Sequence, residues 1–225
     1  MIYLDAVVSQ QFAPADLPNA VRAALGKPLR RAPVLAQLAV LGALACLPAE
    51  RRQRPTALLW QSTSGPRLET LELLAEVCQG SGEPMPFTFL ATVPASAAVQ
   101  LRPFLPGLRT ASTLPLDTEQ QANWGLLLTI ASNWLAEGRY EQVLCAHLDH
   151  WADCLSGHWL ALSATPSSWA LATLDCHVTS PATMAADTPD LPVALSRWLG
   201  GAPAGQPLQL DSPAAPGLAV EFARI

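Results

Sequence analysis

Short unbroken apolar runs set the limits on what this chain can fold into. Residues 56–61 (TALLWQ) and 142–148 (QVLCAHL) are almost free of polar alternation, and residues 2–9 have the same continuous character. A run of this length without a polar face is a strand buried on both sides. Between such runs lie segments with helical spacing. Residues 34–47 are nearly all apolar, with Pro33 before them and Pro48 just past them, which marks the two ends of a core helix. Ser64 is placed to cap the next helix, where Leu68, Leu71, Leu74 and Cys78 share one face and Gly80 ends it. A short helix over 95–104 and a strand over 109–114 follow. Asp117 and Gln120 fit a capping pair for a long helix to Ala136, with Leu126, Ile130 and Trp134 at i, i+4 and i+8 and Gly138 closing it. Alternation of this kind predicts an α/β layered fold, its mostly parallel mixed sheet covered by helices. Runs at 159–163 and 169–176 extend the sheet.

The composition changes after His177. Residues 178–225 read as a Pro/Gly-rich extension to a main unit of residues 1–177. The extension holds a short helix over 193–199 and a last edge strand over 217–223.

Charge and hydropathy exclude several classes of function. Only 14% of residues are charged, the net charge is −5 and half of the residues are hydrophobic. No basic stripe is available for phosphate, so no nucleic acid is expected as a partner. The apolar segment 34–47 is too short to span a bilayer, which takes about 20 residues. The N-terminal MIYLDAVVSQ lacks the basic and apolar regions of a secretory signal. Five cysteines at irregular spacing read as reduced packing residues, and the chain reads as cytoplasmic. Thin charge on an apolar chain points to a surface partly covered by a partner.

The chemistry-bearing residues do not form a familiar motif. His147, Asp149, His150, Cys154 and His158 cluster in sequence, but their spacing matches no common zinc pattern and they read as loop and strand-end residues. Ser62 follows a strand as a hydrolase nucleophile would, yet Trp60 and Ser64 stand where the GxSxG elbow needs its two glycines. Neither a Walker A sequence nor a GxGxxG follows the first strand, and no cofactor or metal is expected. At the turn before the long helix, where an α/β fold presents a nucleophile, stand Glu119, Gln120, Gln121, Ala122, Asn123 and Trp124. None is an activated nucleophile.

Four segments taken in order resemble β-ketoacyl synthases of the thiolase-like superfamily, over residues 1–177. They are RRAPVLAQLAVLGALACL (30–47), SGPRLETLELL (64–74), VPASAAVQL (93–101) and EGRYEQVLCAHLD (137–149). Counted back from Gly138, the family's nucleophilic cysteine falls on Gln121. A glutamine there is similar to chain-length factors, the non-condensing partners of ketosynthases, and also to decarboxylating loading ketosynthases. The sequence departs from the family at Ala95, His147, Asn123 and Trp124. It also stops at about half the family's length, short of the half that supplies the family's catalytic histidines. Short ketosynthase-like proteins of aryl polyene and xanthomonadin-type pigment clusters are similar in this respect.

The resemblance implies the N-terminal half of a thiolase-like fold and no catalytic residue. It implies a full-length β-ketoacyl synthase as heterodimer partner, with an acyl carrier protein reached through the complex. Arg109, Thr110, Ala111, Ser112 and Thr113, on the strand that pairs across the family's dimers, become interface residues, with Phe87 and Phe89 beside them. Gln121, Trp124, Phe87 and Phe89 become tunnel residues, Trp124 filling space that an acyl chain occupies in an active protomer. Two alternatives remain: a malonyl-thioester decarboxylase using Gln121, and a homodimeric scaffold that binds acyl groups or a carrier protein.

Overall fold

A computed structural model describes residues 1–80, 85–116, 121–176, 183–201, 205–211 and 219–225. Its nine strands are β1 (Ile2–Phe12), β2 (Thr56–Gln61), β3 (Leu108–Thr113), β4 (Gln142–His150), β5 (Leu155–Ser163), β6 (Ala172–Asp175), β7 (Thr183–Ala186), β8 (Leu208–Asp211) and β9 (Val220–Arg224). All belong to one sheet in the order β3-β2-β4-β5-β1-β6-β9-β8-β7. The helices are α1 (Leu17–Leu25), α2 (Val34–Cys46), α3 (Arg67–Gln79), α4 (Pro86–Ala91), α5 (Ser96–Leu101), α6 (Trp124–Ala136) and α7 (Leu191–Gly201). Helices α6 and α7 cover one face of the sheet, and α1, α2 and α5 cover the other. Among the described residues no helix is long and apolar enough to cross a membrane.

The α/β class is as the alternation predicts, but the pairing within the sheet is less parallel. Parallel ladders join β3, β2 and β4 at one end and β7 to β8 at the other. The five remaining ladders among the described residues are antiparallel. Linker length explains one of them. A parallel pair needs a crossover of a dozen or more residues, whereas residues 151–154 join β4 to β5 and allow only an antiparallel neighbour.

Unbroken apolar runs become the centre of the molecule. All six residues of β2 are buried, as are the first eight of β4. Helix α2 is apolar nearly all round and accordingly sits in the core. It approaches β5 so closely that a Cβ at Gly42 would overlap the Trp159 indole. A buried ion pair ties this layer to the sheet: Arg51 Nη1 lies 2.7 Å from Asp5 Oδ2 and Arg51 Nε donates to Gln142 Oε1 at 3.1 Å.

Four expectations change. Helix α3 turns its apolar residues outward: Leu71, Leu74, Val77 and Cys78 are exposed, and only Glu69 is buried, hydrogen-bonded to His150 Nδ1 at 2.9 Å. Ser64 does not cap that helix, which starts after Pro66; its hydroxyl instead accepts the His150 amide. Helix α6 starts at Trp124, with Asn123 as cap, while Asp117 and Gln120 lie outside the described residues. Lastly, β9 is no edge strand but lies between β6 and β8. The sheet therefore runs without a break across the expected boundary at 177/178, because β9 pairs with β6 over the whole of that strand. Helix α1, missed in sequence, carried a usable signal in Leu17, Val21 and Leu25 at i, i+4 and i+8, closed by Gly26.

Candidate functional site

Helix α6 begins beside the ends of β2 and β4, and its first turn accounts for every free amide. A helix N-terminus leaves four N–H groups without intrahelical partners and attracts an anion. Here the Trp124 amide donates to Asp187 Oδ1 at 2.8 Å and the Gly125 amide to Asp187 Oδ2 at 3.1 Å. The Leu126 amide donates to Asn123 Oδ1 at 3.2 Å, and the Leu127 amide to the Asn123 carbonyl at 3.2 Å. Gln61, at the end of β2, accepts the Asn123 amide through Oε1 at 2.9 Å. The helix N-terminus, which attracts an anion, thus holds a carboxylate of the chain itself.

Gln121 lies outside the helix, exposed, two residues before the cap. Its carbonyl accepts the Thr63 hydroxyl at 2.8 Å. With Thr63, Asp149, Trp151 and Pro189 it lines an open cavity of about 340 Å³. Trp124, the first residue of α6, is wholly buried in the core and lines neither this cavity nor the groove described below. Its Nε1 donates to the Thr188 carbonyl at 2.9 Å. Phe87 and Phe89 are elsewhere, exposed on α4; Phe87 lines an apolar groove of about 250 Å³ and Phe89 does not. Of the four expected tunnel residues, Gln121 and Phe87 thus line two different cavities among the described residues.

Sequence reasoning missed the polar network behind the cavity. Asp149 Oδ1 accepts the amides of Thr63 and Ser64, each at 2.8 Å, and the Ser62 hydroxyl at 3.2 Å; Oδ2 meets His147 Nε2 at 2.9 Å. Burial alone would raise the Asp149 carboxyl. The hydrogen bond and charge of His147, with the Ser64 and Thr63 amides, outweigh it and hold the group at about 2. His158, paired in register with His147 on the adjacent strand, is pushed down by burial and by the charge of His147.

The network is not a catalytic triad. A triad places its histidine between hydroxyl and carboxylate and uses both ring nitrogens. Here Thr63 Oγ1, at 3.3 Å, and Asp149 both approach Nε2, while Nδ1 is buried without a partner among the described residues. The spacing in sequence gave no signal, because Thr63 and Asp149 meet only through the parallel pairing of β2 with β4.

Asp149 carries an expected pH dependence. Its folded value lies below its unfolded value, so its stabilisation is present above about pH 4 and is lost as pH falls towards 2. The increment is about 2 kcal/mol. Urea unfolding at pH 6 and at pH 2.5 measures it: Asp149→Asn should lack this part of the wild-type loss.

The other candidates resolve as follows. Among the described residues no group of three or more His, Cys, Asp or Glu side chains is placed to hold a metal. His177 lies outside the described residues. Burial pushes the thiols of Cys46 and Cys145 up, away from reactivity. Cys78 is exposed rather than packed. Among the described residues, strand β3 has β2 as its one neighbour and stands at the end of the sheet. On it Arg109 and Thr113 are exposed, while Thr110, Ala111 and Ser112 are half-buried; Thr110 accepts the Tyr140 hydroxyl at 2.8 Å.

No family model and no curated protein matches the chain in sequence. Solved structures do. The chain is similar to the ketosynthase (ApeO) in complex with its chain length factor (ApeC) from Xenorhabdus doucetiae, at 17% identity and a TM-score of 0.56 over 99% of both chains. It is similar to the ishigamide ketosynthase/chain length factor at 11% identity and a TM-score of 0.63, over 90% of this chain and 83% of that one. A type II polyketide ketosynthase structure with its acyl-carrier protein, AntDE:AntF, matches at 10% identity and a TM-score of 0.64, over 100% and 99%. The chain has a ketosynthase-type, thiolase-like fold. The likeness runs past residue 177, where the sequence resemblance stops, so the ketosynthase-type fold takes in β7, β8 and β9 as well.

Proposed function

We propose that this chain is a non-catalytic, chain-length-factor-like subunit that pairs with a full-length β-ketoacyl synthase. The pair would extend an acyl or polyene chain on an acyl carrier protein, in the cytoplasm, in a pathway of the aryl polyene or xanthomonadin pigment type. One observation carries the reading: the Asp187 carboxylate on the amides of Trp124 and Gly125. Condensation requires a nucleophile that can be acylated and donors for the oxyanion that follows. Gln121 supplies no nucleophile, and the helix donors are taken. The decarboxylase alternative loses the same donors.

The open edge of β3 supports a partner. An unpaired strand edge is a template for another chain. Arg109, Thr110, Ala111, Ser112 and Thr113 form that edge, and the exposed Phe89 and the outward face of α3 add apolar surface for a partner to cover.

The test is co-expression of the tagged chain with each full-length β-ketoacyl synthase of its own genome, read by native mass spectrometry. A one-to-one heterodimer is expected with one of them, and Ser112→Arg should abolish it. A chain that stays monomeric or homodimeric beside every ketosynthase, or a heterodimer indifferent to Ser112→Arg, overturns the proposal.

A further inference from the structure

The groove that Phe87 lines combines apolar walls with positive charge. Its lining includes Leu90, Val93 and Val99 from the α4–α5 region, together with Arg31 and Pro33 from the segment before α2. A second groove, lined by Lys27 and Arg30, adjoins it and shares Gln100. Lys27, Arg30 and Arg31 are all exposed, and none makes a hydrogen bond or ion pair to another described residue. In a chain of net charge −5, three cations in five positions, unpaired among the described residues, are a local exception.

Arg31 is set apart by its backbone as well. Its φ of 55° makes it the one residue other than glycine in the left-handed region among the described residues. A side chain with a Cβ is disfavoured there, and such conformations concentrate at ligand sites. A glycine would serve the turn better. An arginine held there keeps a guanidinium, with its fork of donors, beside the apolar groove.

We propose that this groove binds a single-chain carboxylate amphiphile as a monomer, the tail on Phe87, Leu90, Val93 and Val99 and the carboxylate on Arg31. A volume of about 250 Å³ suits a medium-length chain, just under the roughly 300–1,000 Å³ of ordinary ligand sites. Arginine recognises a carboxylate through paired, charge-assisted hydrogen bonds, so charge selects the head and the groove selects the tail. The site shares no residue with the cavity at Gln121 and does not rest on the partner-subunit reading.

Decanoate is the probe, titrated into the purified chain by calorimetry. Saturable one-to-one binding is expected, with decylamine and decanol unable to displace it. Arg31→Gly fits the left-handed backbone, so the melting temperature should hold or rise while affinity falls about tenfold, the loss of one charge-assisted contact. Leu90→Asp, at an exposed position, should weaken binding independently through the tail. The proposal is overturned if Arg31→Gly binds decanoate as tightly as the parent or if decanol competes equally. Binding only to anionic phospholipid vesicles, with none to monomeric decanoate, overturns it as well.

Discussion

Trp124→Ala is expected to cost about 3–5 kcal/mol of stability, the range for removing a large aromatic side chain from a core. Trp124 is fully buried against Leu127 and Leu128, and its indole N–H satisfies the Thr188 carbonyl. The alanine variant therefore leaves both a cavity and an orphaned acceptor. Trp124→Phe keeps most of the volume and should lose about 1 kcal/mol, the net worth of one hydrogen bond. Urea unfolding of the two variants separates these contributions. A wall of a shared acyl tunnel would behave differently: Trp124→Phe would shift the length distribution of the partner's products with little change in stability. The burial of the indole predicts unchanged products.

Asp5→Ala should be comparably damaging, at about 3–5 kcal/mol, because it strands a buried guanidinium. Arg51 and Asp5 are each nearly inaccessible, and the pair is braced by Gln142 on one side and by the Ser167 hydroxyl, 2.8 Å from Asp5 Oδ1, on the other. The cost lies in the unpaired charge rather than in the lost attraction. Adding Arg51→Met to Asp5→Ala should therefore recover most of the stability. A double variant no more stable than the single one, by thermal or urea unfolding, would contradict that account.

The sequence made some of this visible for definable reasons. TALLWQ and QVLCAHL are legible as central strands because nothing but double-sided burial tolerates such runs. Helix α2 is legible because it is apolar all round and bounded by Pro33 and Pro48. Helix α3 misleads by the same logic: Leu71 and Leu74 have core spacing, but periodicity tells which face avoids water, not whether the cover comes from this chain. Glu69 sits inside because His150, far away in sequence, is there to meet it. The candidate site was legible only as an absence, with no nucleophile at Gln121. The carboxylate that fills the helix terminus comes from Asp187, beyond the reach of any local pattern.

The position of β1 has a consequence for how the molecule is made. This strand lies in the interior of the sheet, yet its neighbours are β5 and β6: Ser9 is opposite His158, and Ile2 is opposite Leu174. Synthesised before both neighbours, this strand must wait for β5 and β6, each more than 140 residues later, before either flank is covered, and β9 must then close over β6. Pairings so distant in sequence slow folding and leave apolar strands open to other chains in the meantime. A protein with this topology is most exposed to wrong contacts during a window that opens before any interface exists.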